Sequence, residues 1–196
     1  KLAPTQVVFV PIYKSEEEFK NVSEKVSQLK KALENKGITT LYDNRDNLKP
    51  GFKFAEYELK GFPVRIAIGP KDLEKGTVEV ARRDTLEKQV VNQENIADYI
   101  EKLLVDIQEN LFNKAVSFRA ENITKVESYD EFKRVLDEKG GFISAHWDGT
   151  KETEELIKDE TKATIRCIPL DVEIEDGKCI ITGKPSTRRV VFARAY

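Results

Sequence analysis

The chain has 196 residues, with 33 Lys plus Arg against 35 Asp plus Glu, a net charge of −2 and 39% apolar residues. That is room for one medium domain or two small ones, and it excludes a disordered tail or a broadly basic, histone-like binder. No apolar run is long enough to span a bilayer, and the opening Lys-Leu-Ala-Pro has no signal-peptide core. Two cysteines, Cys167 and Cys179, are too few for a disulfide framework, so reduced thiols and a cytoplasmic setting are expected. One histidine, His146, leaves no multi-His metal site.

The first half alternates strand and helix. Gln6 to Ile12 is a buried strand, and Ser15 with Glu18 forms a capping box. Phe19, Val22, Val26, Leu29 and Leu33 then draw one helical stripe that Gly37 ends. Ile38 to Tyr42 is a second strand. Leu48 to Gly51 reads as a turn, and Phe52 to Leu59 has helical spacing closed by Gly61. Val64 to Ile68 is a third strand ending at Gly69-Pro70. Beyond Gly76, Thr77 to Arg82 and Thr85 to Val91 read as strands. Asn95 to about Ser117 is a long helix with Ile96, Ile100, Leu103, Ile107 and Leu111 on its apolar side. The expected class is α/β, a mixed five-stranded sheet with helices on its faces.

The second half reads as a smaller α+β unit. Ser128 and Glu131 cap a helix running to Gly140-Gly141. Phe142 to Trp147 is a strand and Lys151 to Asp159 a short helix. Thr164 to Ile168, Lys178 to Ile181 and Arg189 to Ala193 are strands, with Asp176-Gly177 as a hairpin turn signal. The expected divisions are 1–112, a connection over 113–127 that includes the end of the long helix, and 128–196.

Charge is uneven. Arg45 to Arg83 carries nine basic and six acidic residues, whereas Asp84 to Phe112 carries two basic and seven acidic. An anion-binding face with a repelling back is one reading, and two ordinary solvated surfaces is the other.

The segment Asp43 to Asp72 contains D-x-R, P-G-x-K-F, E-x-K-G-x-P-x-R and G-P-K-D. With the opening A-P-x-Q-V and the closing V-V-F-A-R-A-Y, it resembles the prolyl-tRNA synthetase family over essentially the whole chain. The resemblance is to the eukaryote/archaeal-like subtype, in which an anticodon-binding domain of the class IIa fold is followed by an extra C-terminal domain. It implies that residues 1–112 bind the anticodon loop of tRNA(Pro), with Glu58, Arg65 and Lys71 reading its two guanines and Asp72 beside them. The bottom-up chemistry is compatible: guanine offers N1–H and N2–H₂ to a carboxylate, and O6 and N7 to Lys or Arg. The bland alternative for Glu58 and Arg65 is an ion pair between helix and strand. Arg45, Lys53 and Arg82 are candidates for RNA-backbone contacts, and Phe54 either stacks on a base or belongs to the core.

The subtype's C-terminal domain often carries four zinc-binding cysteines. Here those positions correspond to Asp148, Thr153, Cys179 and Thr182, a set poorly suited to structural zinc, so no metal is expected and a Thr/Asp hydrogen-bond network or packing must take its place. Resemblance also implies that Tyr196 reaches toward the parent's active site. ATP and Mg²⁺ belong to the parent, a homodimer by expectation, whose catalytic domain partners this part. The chain itself shows no P-loop and no catalytic core, so it should be inactive alone, with no cofactor. Membrane and DNA are not expected partners. A protein-interaction or dimerisation module, and an anticodon-binding module of another class II synthetase, remain as alternatives.

Overall fold

The apolar run after Gln6 forms β1 (Val7–Pro11), buried at every position because it lies inside a five-stranded sheet. The computed structural model describes residues 3–170 and 174–194, in two units, 1–113 and 114–196.

In the first unit the sheet order is β2 (Thr40–Tyr42), β1, β3 (Val64–Ile68), β4 (Thr77–Arg82), β5 (Lys88–Asn92). β2, β1 and β3 are parallel, and β4 and β5 continue antiparallel. The parallel pairs need crossovers. α1 (Glu16–Glu34) and α2 (Pro50–Leu59) supply them. Ser15 Oγ accepts the Glu18 N–H as the N-cap of α1, and the Glu18 carboxylate reaches back past the cap to accept the Lys14 N–H, so the expected box closes one residue earlier than Ser15.

One sheet face buries Phe9, Ile66, Ile68, Val78 and Val80 against Val22, Val26 and Leu33 of α1 and against Ile96, Ile100 and Leu103 of α4 (Ile96–Glu121). On the other face α2 packs Tyr57 and Phe54 over Val8 and Val10. Two details differ from the sequence reading. Pro50-Gly51 opens α2 rather than forming a turn: proline suits the first helical position, where its missing N–H would have no partner. Pro70–Lys75 forms a short helix, α3, with Gly76 at φ 65° as its left-handed cap. Six residues are too few to show a periodicity.

The second unit has a four-stranded sheet of order β6 (Ile123–Lys125), β7 (Phe142–His146), β11 (Arg189–Arg194), β8 (Ala163–Cys167). It also has a two-stranded ribbon of β9 (Gly177–Lys178) and β10 (Pro185–Ser186). α5 (Tyr129–Glu138) and α6 (Lys151–Thr161) bring Phe132, Leu136 and Ile157 onto Ile143, Ala145, Val190 and Phe192. The stretch 113–127, read as helix end and connection, holds helix to Glu121 and then β6, paired parallel to β7. Gly177 lies in β9 and not in a hairpin turn. A Cβ there would come within 2.1 Å of His146 Nε2, so glycine is required by close approach to the imidazole. Lys178 to Ile181 is strand only at Lys178. The backbone then turns, with the Cys179 N–H donating to Lys184 C=O and the Gly183 N–H to Cys179 C=O.

Candidate nucleic-acid interface

Alternation along the strands puts two rows of side chains across the α2 face of the first sheet. One row is Val8, Arg65, Ala81 and Lys88; the next is Val10, Ala67, Glu79 and Val90. α2 covers the β1 end of both rows. Toward β5 the face is open: Val90 is 71% exposed.

Arg65 sits where cover gives way to opening. Its side chain is 5% exposed, and its Cζ lies 3.6 Å from the centre of the Phe54 ring. Nη1 donates to Glu79 Oε1 at 3.3 Å, while Nε and Nη2, both buried, have no hydrogen-bond partner among the described residues. Buried donors are paired as a rule, and each one left open costs roughly 1–3 kcal/mol. The open pair is the side edge of the guanidinium, the fork that takes two adjacent acceptors.

Glu58, in the last turn of α2, is exposed, and its carboxylate has no hydrogen bond or ion pair among the described residues. Its main-chain carbonyl accepts from Arg83 Nε at 2.7 Å. Glu58, Arg65, Phe54, Phe62 and Arg83 line one shallow cleft. The helix-to-strand ion pair between Glu58 and Arg65 does not form; Arg65 pairs with Glu79 instead.

Lys71 and Asp72 lie in α3, beyond the far end of β3. Three strand residues separate Arg65 from Ile68, roughly 10 Å, so these two do not join the cleft of Glu58 and Arg65. Lys71 is exposed. Asp72 Oδ2 accepts the Gly69 N–H at 2.9 Å, which ties that carboxylate to the entry of α3.

The three RNA-backbone candidates are occupied internally. Lys53 is 2% exposed and donates to the carbonyls of Asp43 and Arg45. Arg45 holds Asp43 through Nε and Nη2 and also reaches Glu56. Burial disfavours the Asp43 carboxylate, but hydrogen bonds from Arg45 and Tyr57 and the charge of Lys53 outweigh it and hold its pKa at about 2. The same interior pushes the Tyr57 phenol up to about 12, through burial and its hydrogen bond to Asp43. Arg82 alternates onto the α1/α4 face and grips Asp84 with Nε and Nη2 at 2.8 and 2.7 Å. That grip, opposed by burial and helped by Asn110, brings Asp84 to about 2. Much of the basic excess counted over this stretch is therefore neutralised within the fold.

Sequence reasoning missed Glu79 and Val90. The signal was present: in T-V-E-V-A-R the phase of Val78 and Val80 sends Glu79 to the opposite face, level with Val90.

In the second unit, Asp148 collects hydroxyls. Thr153 and Thr150 donate to Oδ1 at 2.7 and 2.9 Å, and Thr182 donates to Oδ2 at 3.0 Å. Trp147 Nε1 donates to Thr153 Oγ1 at 2.8 Å. Burial raises the Asp148 pKa, but these hydroxyls prevail and hold it at about 2. Zinc needs four strong Cys or His donors. Here the hydroxyl protons point inward at one carboxylate, and among the described residues no group of three His, Cys, Asp or Glu is placed to hold a metal. The residues present do not fit zinc. Tyr196 lies outside the described residues, and among the described residues no helix is long and apolar enough to cross a membrane.

The first unit thus presents a mixed five-stranded sheet with Arg65 at the margin of a face that opens toward β5. A family profile described as an anticodon binding domain matches residues 6–103, and the chain belongs to that family. A second profile, for the C-terminal region of prolyl-tRNA synthetase, matches residues 129–196. The chain is 60% identical over 195 residues to a proline–tRNA ligase of Christiangramia forsetii, and 59% identical to those of Porphyromonas gingivalis strain W83 and Flavobacterium johnsoniae. In each case all of this chain is covered and 40% of the relative. The first unit is thus an anticodon-binding domain of the proline–tRNA ligase type, and the C-terminal domain of that enzyme follows it. The chain spans about two fifths of the length of the curated relatives it matches.

Proposed function

We propose that this chain reads the two guanines shared by proline anticodons, as the part of a proline–tRNA ligase that helps select tRNA(Pro). The observation that carries the reading is Arg65: a buried guanidinium on an open sheet face, with two N–H donors left without partners. A donor pair kept dry and unpaired costs stability, and a ligand with two adjacent acceptors recovers it. Guanine supplies them as O6 and N7. Its N1–H and N2–H₂ face the other way and suit a free carboxylate, the state of Glu58. Cytosine would set its N4–H₂ donor against the guanidinium, and buried unpaired donors reject such a base strongly. Lys71, at the other end of β3, is the proposed reader of the second guanine; neighbouring bases splayed along the sheet suit two separated subsites. Asp72 acts there mainly by fixing the α3 entry.

The whole enzyme's activity is proposed in the same terms: ATP-dependent attachment of proline to its tRNA by a catalytic domain that precedes this part in a homodimeric, cytoplasmic parent. The arrangement of an anticodon-binding domain followed by a C-terminal domain fits the eukaryote/archaeal-like subtype, and the three relatives named above are bacterial.

The test is a variant panel against anticodon stem-loops. Glu58→Ala and Lys71→Ala should each lose preference for the proline loop over one with both guanines changed to cytosine. Arg45→Ala should keep that preference, because its guanidinium is spent on Asp43 and Glu56. Unchanged preference in both Glu58→Ala and Lys71→Ala would refute the assignment.

A further inference from the structure

Among the described residues Arg65 is held by one polar contact. Nη1 meets Glu79, diagonally across the β3–β4 pair, while Cζ lies over the Phe54 ring at 3.6 Å from its centre. The ring covers the guanidinium, and the Nη1–Glu79 contact is its one polar anchor among the described residues, on the β4 side. Glu79 itself is spare in the fold: its side chain is 38% exposed, and Arg65 is its one ion-pair partner among the described residues.

We propose that Glu79 is a positioning residue for base reading. By engaging Nη1 it keeps the Nε–Nη2 edge of Arg65 turned to the cleft, where two adjacent acceptors of a guanine, O6 and N7, complete it. This rests on the reading of guanine recognition given above. A phosphate also offers two adjacent acceptors to such an edge, and the experiment separates the two sources. Both open nitrogens are shut off from water in the free chain, so a base reaches them by moving side chains at the rim of the cleft, a common change on binding.

The experiment measures affinity of the 196-residue chain for stem-loops carrying guanine or 7-deazaguanine at each anticodon guanine in turn. 7-Deazaguanine lacks the N7 acceptor and keeps the phosphates and the Watson–Crick edge. At one of the two positions the change should weaken wild-type binding about tenfold, within the range for a bidentate base contact. Glu79→Ala should bind the guanine loop about tenfold more weakly and no longer respond to the substitution. Glu79→Gln, whose amide oxygen still accepts from Nη1, should keep the response. A Glu79→Ala protein that still feels the loss of N7 would overturn the positioning role while leaving guanine reading intact. Wild-type indifference to 7-deazaguanine at both positions, with guanine still preferred over cytosine, would overturn the proposed edge contact as well. Equal wild-type binding of guanine and cytosine loops would remove the reading beneath it. Glu79→Gln should melt close to wild type, whereas Glu79→Ala, which takes the partner from Nη1 of a buried guanidinium, should melt lower, so binding is measured well below its midpoint.

Discussion

Replacing Arg65 by methionine separates a reader from a strut. The side chain is 5% exposed, has two buried donors without partners and makes one ion pair with a half-exposed glutamate. Each open donor costs roughly 1–3 kcal/mol. Against this stand an ion pair to a solvated partner, about 1 kcal/mol at most, and a cation–π contact with Phe54 of about 1–2 kcal/mol. Methionine fills similar space with no donors to satisfy; exchanging a whole buried ion pair for apolar groups often stabilises by about 1–4 kcal/mol, and the partner left here, Glu79, is solvated enough not to be stranded. We expect Arg65→Met to stabilise the first unit by about 1–3 kcal/mol and raise its melting temperature by several degrees. Preference for the guanine loop should fall by about 1–3 kcal/mol, roughly 5- to 150-fold. Calorimetry with circular dichroism reads the first effect, because the single tryptophan, Trp147, reports only on the second unit. A variant that melts lower and still discriminates would refute the reasoning and make Arg65 a structural ion-pair partner.

Lys53→Met should act in the opposite sense. It removes a 2%-exposed ammonium from the carbonyls of Asp43 and Arg45 and from beside the Asp43 carboxylate, at a cost of about 3 kcal/mol or more. The salt dependence of RNA binding should stay unchanged, and a shallower slope would mean that Lys53 touches phosphate after all. Acid should loosen the first unit. Asp43 and Asp84 titrate near 2 when folded and near 4 when unfolded, so their stabilisation is complete above about pH 5 and is lost as pH falls toward 2. Each contributes on the order of 2–3 kcal/mol, and a urea midpoint that is flat between pH 5 and 2.5 would contradict those pairings. In the second unit, Asp148→Ala should strand three hydroxyls and lower stability by about 1–3 kcal/mol, seen in Trp147 fluorescence. A chelator should leave the wild-type midpoint where it is, whereas a chelator-induced loss would show a metal bound there.

The strands and long helices were legible because each buries a face of strict period. Val22, Val26, Leu29 and Leu33 announce α1, and the unbroken apolar run of β1 announces a strand covered on both faces. α3 and β6 were not legible, since six and three residues carry no period, and β6 exists only because β7 offers it an edge. Asp176-Gly177 misled for a clear reason. Glycine there serves a contact with His146 that lies 31 residues away in sequence. The site was half legible. The motif marked Glu58, Arg65 and Lys71 as the readers proposed above, but charge type alone could not tell a free cation from a committed one. Arg45, Lys53 and Arg82 resemble phosphate contacts in sequence and turn out to be internal partners of Asp43, Glu56 and Asp84. The Thr/Asp network expected in this unit is present at Asp148: Thr150 and Thr153 reach it from two and five residues away, and Thr182, 34 residues on, is brought to it by the fold.

The most direct test of the central claim is binding of the wild-type chain to two labelled stem-loops, by fluorescence anisotropy at two salt concentrations. One loop carries the two proline guanines, and the other carries cytosine at both positions. Base reading predicts a preference for the guanine loop that persists when salt is raised, while both affinities fall together through their shared phosphate contacts. Equal affinities at both salt concentrations would contradict it, and would leave the open face of the sheet without the role assigned to Arg65.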